Sequence, residues 1–168
     1  MNAEITKIIN QLNLQPHPEG GYFKETYRSE GVINKSNLGI EFSGARNYAT
    51  AIYFLLTSDT FSAFHRIKQD EIWHFHKGSP IKLHIISAKG DYTNVIIGNN
   101  LEHGELPQYV VKANDWFAAE VIENNKYSLL GCTVSPGFDF KDFELAKEKA
   151  LSKMYPQHQN IISRLTRE

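Results

Sequence analysis

The stretch FHRIKQDEIWHFHKG, residues 64–78, gathers His65, Glu71, His74 and His76 within fifteen positions. Imidazoles and carboxylates move protons near neutral pH and ligate divalent metals. Three readings are open: a metal site, an acid–base site, or strands rich in histidine for structural reasons. Strand geometry sorts the four residues. Successive side chains on a strand point to opposite faces. In EIWHFHK, therefore, Glu71, Trp73 and Phe75 share one face, and Ile72, His74 and His76 share the other. The two aromatics mark the first set as inward. Glu71 then points into an aromatic-walled interior, where a lone carboxylate is costly and its pKa rises toward the range useful for proton transfer. His65 lies on the preceding strand, and antiparallel pairing would bring it to Glu71. His74 and His76 form an i, i+2 pair, a spacing that can hold a metal from one face. That face is the outward one unless a bulge reorients it, and an exterior surface explains the pair equally well.

Other side chains could serve the same interior. Arg46 precedes an apolar run and could anchor an anionic ligand bidentately; an ion pair is the plainer reading. Trp73, Phe75, Trp116 and Phe117 could wall a pocket or simply pack the core. Tyr22, Glu25 or Arg28, in HPEGGYFKETYR, could reach a pocket mouth, and the two glycines before them suit a turn. Cys132 sits in an apolar segment and reads as a small buried hydrophobe.

The elements that must hold these residues follow from periodicity. Residues 2–12 place Ile5, Ile8, Ile9 and Leu12 at helical spacing. QPHPEGG breaks that helix, and the period changes to two. From YFKETYRS to YSLLGCTVS the chain reads as about nine short strands separated by turn signals such as KGSP, AKGD and GNN, the pattern of an antiparallel sandwich or barrel. DFKDFELAKEKAL returns to helical composition, with Asp139 as a candidate N-cap. The chain has 168 residues, 41% of them hydrophobic, which suits a single domain over 1–168 with a real core. The formal charge is −1 with no basic stripe, which argues against nucleic acid. One cysteine excludes an internal disulfide. The polar start MNAEITKIINQLNL and the absence of a long apolar run lead us to expect a cytoplasmic protein, neither exported nor in a membrane.

Four stretches carry a resemblance to a known family: HPEGGYFKETYRS at 17–29, TAIYFLL at 50–56, SAFHRIKQDEIWHFHKG at 62–78 and GCTVSPGFDFKDFEL at 131–145. Over nearly the whole chain the sequence resembles the Cupin_5 (DUF985) group of the cupin superfamily, whose members are largely uncharacterised. The resemblance implies an all-β cupin double-stranded β-helix, a jelly-roll barrel with short N-terminal and C-terminal helices, commonly a homodimer with one small-molecule pocket per subunit. The cupin metal pattern is only half present. Glu71 and Gly78 keep its spacing and His65 stands near its second histidine, but Ala63 and Phe117 fall where histidines are usual. We therefore expect no metal cofactor; a divalent metal, if bound, would use His65, Glu71 and His74. The functional expectation is a small-molecule-binding protein of unknown substrate. As an enzyme it would be a metal-independent isomerase or epimerase acting on a sugar or sugar nucleotide, with His65 and Glu71 catalytic and Arg46, Trp73, Phe75, Trp116, Phe117 and Tyr22 around the substrate. A non-catalytic ligand-binding module and a metal-dependent oxygenase or isomerase are the alternatives.

Overall fold

The change of period at the first prolines is where helix gives way to sheet. In the computed structural model, residues 3–167 are described. Helix α1 (Ala3–Leu12) lays Ile5 and Ile9 on Leu14, Leu55 and Tyr127; Asn2, where the expected helix begins, lies outside the described residues. The strands follow as β1 (Gln15–Pro16), β2 (Tyr22–Arg28), β3 (Val32–Ile33), β4 (Arg46–Asn47), β5 (Thr50–Thr57), β6 (Phe61–Arg66) and β7 (Asp70–Gly78). They continue as β8 (Ile81–Ile86), β9 (Tyr92–Ile97), β10 (Gln108–Val111), β11 (Trp116–Val121), β12 (Tyr127–Ser135) and β13 (Glu144–Leu145), before α2 (Glu148–Met154) and α3 (Gln159–Arg164).

The larger sheet runs β1-β2-β5-β12-β7-β10 and the smaller β13-β6-β11-β8-β9, every pair antiparallel, with β3 and β4 as a separate ribbon. The all-β class and the short terminal helices stand, but the expected closed barrel is not formed. The strands pair within two separate sheets, and no named strand joins one ladder to the other among the described residues. The reason lies in the histidine-rich stretch itself. β6 belongs to the smaller sheet and β7 to the larger, so Ile67–Gln69 crosses between layers instead of turning a hairpin. The expected β6–β7 pairing is corrected by the same observation.

Two-residue periodicity then builds the interior. Leu83 and Ile85 from the smaller sheet meet Phe54, Trp73 and Leu130 from the larger. On the smaller sheet's other face, Phe64, Ile86 and Trp116 are covered by Leu151 and Ile162 of the C-terminal helices. No helix among the described residues is long and apolar enough to cross a membrane.

The C-terminal helix does not start at Asp139. Its carboxylate caps a single 3-10 turn, accepting the Lys141 N–H at 2.9 Å. Glu144 and Leu145 then pair with Arg66 and His65, so sheet pairing overrides helical composition and α2 begins only at Glu148.

The turn between β1 and β2 is closed by His17 N–H to Gly21 O and Gly20 N–H to His17 O, both 3.0 Å. Gly20 has φ +114°, and a Cβ there would overlap the Phe61 carbonyl oxygen. Gly20→Ala is expected to cost ~2–4 kcal/mol in urea unfolding. A loss below ~1 kcal/mol would mean that the turn adapts freely.

Candidate functional site

The turn just described delivers the central carboxylate. Ala63 N–H donates to the Glu19 carbonyl at 2.8 Å and Arg167 Nε to the same oxygen at 3.2 Å, which stitches the turn onto β6. The Glu19 side chain thereby reaches the interior, where Ser62 donates to Oε1 at 2.8 Å. Its Oε2 lies 3.1 Å from His65 Nε2 and 3.2 Å from His17 Nδ1. His65 and Glu71 both line the same cavity, about 330 Å³ between the sheets, yet they face it from opposite layers. The direct partner of His65 is Glu19, not Glu71. Phe54, Ile52 and Val134 form apolar wall, and Phe138, Phe140 and Phe143 close the outer side with Glu25, Arg28 and Asp139.

Proton positions in the pair follow from geometry. His65 Nδ1 is 2.7 Å from the Ala63 carbonyl oxygen, which can only accept, so Nδ1 carries a proton. Nε2 faces a carboxylate oxygen, and two lone pairs would repel at that distance. A second proton therefore lies between Nε2 and Oε2. Burial pushes the Glu19 carboxyl up, but His65, His17 and the Ser62 hydroxyl outweigh it and hold the group below its ordinary range. Burial also drives His65 toward its neutral form, against the pull of Glu19 and Ala63. The two groups titrate as one unit sharing that proton.

Glu71 behaves oppositely. It is buried, faces the negative charge of Glu19, and has a Cys132 thiol as its partner. Burial first, then Glu19, pushes its pKa up to about 8, with the thiol pulling it part of the way back. Near neutral pH Glu71 is a carboxylic acid. Burial pushes the Cys132 thiol well up as well, so it stays protonated and is no nucleophile.

The other expected residues lie elsewhere. On β7, Glu71 and Trp73 turn inward while His74 and His76 turn outward, as alternation requires. His74 Nε2 meets Thr133 Oγ1 at 3.1 Å, and His76, at a bulge opposite Leu129 and Leu130, packs edge-on to Tyr53. The candidate metal set is thus split: His65 of the smaller sheet and Glu71 of the larger face the cavity, while His74 stands on the outer face of the larger sheet. Both nitrogens of His65 are also committed, so these residues do not fit a metal. Among the described residues no group of three or more His, Cys, Asp or Glu is disposed to hold an ion.

None of the six expected substrate-binding residues lines the cavity. Arg46 is buried in a bidentate pair with Asp142, at 2.7 and 2.6 Å. Trp73 stands behind Phe54, ring centroids 5.6 Å apart. Phe117 backs His65 at 4.1 Å. Parity on β11 sends Trp116 to the opposite face, under Arg66 at 4.5 Å. Phe75 lines a groove with His76 and Lys77 at the far end of β7. Tyr22 packs toward α1 and borders a separate groove with Gly20 and Arg167.

Sequence reasoning missed His17, Glu19 and the phenylalanine loop. The available signal was H-x-E beside two glycines: polar groups held in a rigid turn rather than a bare strand start.

Two facing antiparallel sheets with a ligand-sized cavity between them define a small cupin-type protein. The chain belongs to the Cupin_5 family, "Cupin superfamily (DUF985)", whose model matches residues 6–146. It is 32% identical over 164 residues to uncharacterized protein YML079W of Saccharomyces cerevisiae, covering 86% of this chain and 76% of that one. A solved hypothetical protein from Leishmania major superposes with a TM-score of 0.89 at 36% identity over the full length of both chains. Protein SO0799 from Shewanella oneidensis gives a TM-score of 0.85 at 39% identity, over 99% of this chain and 98% of its own. The fold alone extends to an oxalate decarboxylase of Bacillus subtilis, with a TM-score of 0.54 at 14% identity over 89% of this chain and 36% of that one.

Proposed function

We propose that the cavity binds a small organic molecule and that its side chains move protons on it, as in an isomerase or epimerase. The observation that carries this reading is the pair of carboxyl groups in one cavity held in opposite protonation states, Glu19 low and Glu71 at about 8. The Glu19–His65 unit takes a proton from carbon beside a carbonyl. The C–H electron pair forms a C=C bond, the carbonyl π pair moves onto oxygen, and Glu71 gives its proton to that oxygen. The unit then gives its proton to the neighbouring carbon while the hydroxyl on the first carbon passes its proton to Glu71, which yields the isomer. Alternatively, once the enol has turned in the cavity, the unit protonates the other face of the same carbon while the enol O–H returns its proton to Glu71, which yields the epimer. Both groups are restored in either case. A volume of about 330 Å³ lies at the low end of ligand sites, roughly 300–1,000 Å³. That suits a monosaccharide; a sugar nucleotide would leave its nucleotide outside. The reading uses no metal.

The test is deuterium uptake. Wild-type protein is incubated in D2O with a panel of small aldoses, ketoses and amino sugars and followed by NMR. The expected result is carbon-bound exchange on at least one compound, slowed ~10²–10⁴-fold by Glu19→Gln and by Glu71→Gln. A compound that binds tightly without exchange would leave a binding module in place of an enzyme.

A further inference from the structure

The cavity is short of positive charge. Four carboxyl groups line it: Glu19, Glu25, Glu71 and Asp139. Arg28 is the one lysine or arginine among its lining residues, and it is spent. Its Nε and Nη2 donate to Glu25 at 2.9 and 2.8 Å, Nη1 donates to Asn47 at 2.9 Å, and Nη2 also reaches the Phe138 carbonyl at 3.1 Å. Both lining histidines are held on Glu19. A phosphate or carboxylate ligand would therefore meet carboxylates and find no free cation. Glu71 is the conspicuous case. It is more than nine-tenths buried, opens on the cavity, and has only the Cys132 thiol as a partner among the described residues. A neutral ligand can hydrogen-bond to it but cannot supply a counter-charge. The rest of the lining is rich in phenylalanine: Phe23, Phe54, Phe138, Phe140 and Phe143. Aromatic faces attract cations, most strongly where water is displaced.

We propose that the ligand carries a cationic nitrogen, a primary or substituted ammonium, which lies against Glu71 within the phenylalanine-lined part of the cavity. This rests on the cavity being the ligand site, as argued above, and not on turnover. It narrows the substrate class from small sugars in general to small amino-bearing compounds. An amine arriving uncharged takes the proton of Glu71; an ammonium ion replaces it. In either case the complex is an ammonium–carboxylate pair; an ammonium N–H then takes over from Glu71 as the acid that protonates the substrate oxygen, and the Glu19–His65 unit remains the base.

Three probes with the same trimethyl head test the proposal: choline, its neutral isostere 3,3-dimethylbutan-1-ol, and the similarly sized anion 3,3-dimethylbutanoate. Affinities for the wild-type protein are measured by titration calorimetry near about pH 8.5, where Glu71 is largely ionisable. Choline is expected to bind at least ~10-fold more tightly than the alcohol, and the anion more weakly than either. Glu71→Gln is expected to bring choline down to the affinity of the alcohol; an unchanged preference in a folded variant overturns the proposal. An alcohol that binds the wild type as well as choline does overturns it too, while the cavity stands as a ligand site. If none of the three binds, the proposal is overturned, while the exchange experiment on sugars decides separately whether the cavity is a ligand site. The wild-type comparison decides the matter even if the variant does not fold.

Discussion

Glu71→Gln is expected to stabilise the protein by about 4 kcal/mol at about pH 9 and to leave it within about 1 kcal/mol of wild type at about pH 5. Folding raises the Glu71 pKa from an unfolded value of 4.5 to about 8. Between those values the folded chain holds a proton that the unfolded chain has released. Wild-type stability due to this group is therefore fully present below about 4.5 and is lost as pH rises through about 8. Glutamine is neutral in both states and carries no such penalty. Urea unfolding of both proteins across this pH range measures the difference directly. A constant difference between pH 5 and 9 would mean that Glu71 ionises normally in the folded protein, and the acid assigned to the cavity would go with it.

Asp142→Ala is expected to cost ~3–5 kcal/mol, the usual consequence of leaving a buried partner charge uncompensated. The Asp142 side chain is fully buried and the Arg46 guanidinium nearly so. Gln69 Nε2 also donates to Asp142 at 2.8 Å, and Lys68 lies 3.4 Å away. Removing the carboxylate strands the arginine and the amide together. Asp142 also ends the turn that begins at Phe140 and precedes Phe143, so the variant is expected to lose ligand affinity along with stability. A shift in the urea midpoint worth less than about 1 kcal/mol would show that water reaches Arg46 and that the pair is weak.

How far the sequence could be read depended on which physical rule was decisive. Alternation on β7 was legible because its inward set contains Trp73 and its outward set contains His74 and His76; a parity argument needs nothing beyond the strand itself. The same argument placed Glu71 inside. It could not say which sheet β6 and β7 enter, because FHRIKQDEIW contains no residue type that separates a crossover from a turn. The barrel expectation and the His65–Glu71 pairing failed at that point. Arg46 stayed open between a ligand anchor and an ion pair, because an arginine beside an apolar run looks the same whether its partner is a ligand or Asp142, 96 positions further on. Glu19 was overlooked because two glycines and two prolines explain a turn completely, and what the turn carries becomes visible only when Ser62, His17 and His65 converge on one carboxylate. Phe140 and Phe143 were read as part of a helix, when their segment is in fact folded back over the cavity.

The crossing at Ile67–Gln69 bears on how the molecule can flex. His65 and Glu71 stand on opposite layers but are joined by five intervening residues of backbone, and that link is itself pinned by Asn114 N–H to the Ile67 carbonyl at 2.8 Å. The layers are thus tied covalently beside the cavity. At the far end of β7, Ser79 and Pro80 carry the chain back from the larger sheet to β8 of the smaller, so the layers are laced at both ends of that strand. Sheets tied in this way cannot part at one edge, and the spacing of the proton-carrying groups stays nearly constant. A ligand must then enter past the phenylalanine loop and not between separating sheets.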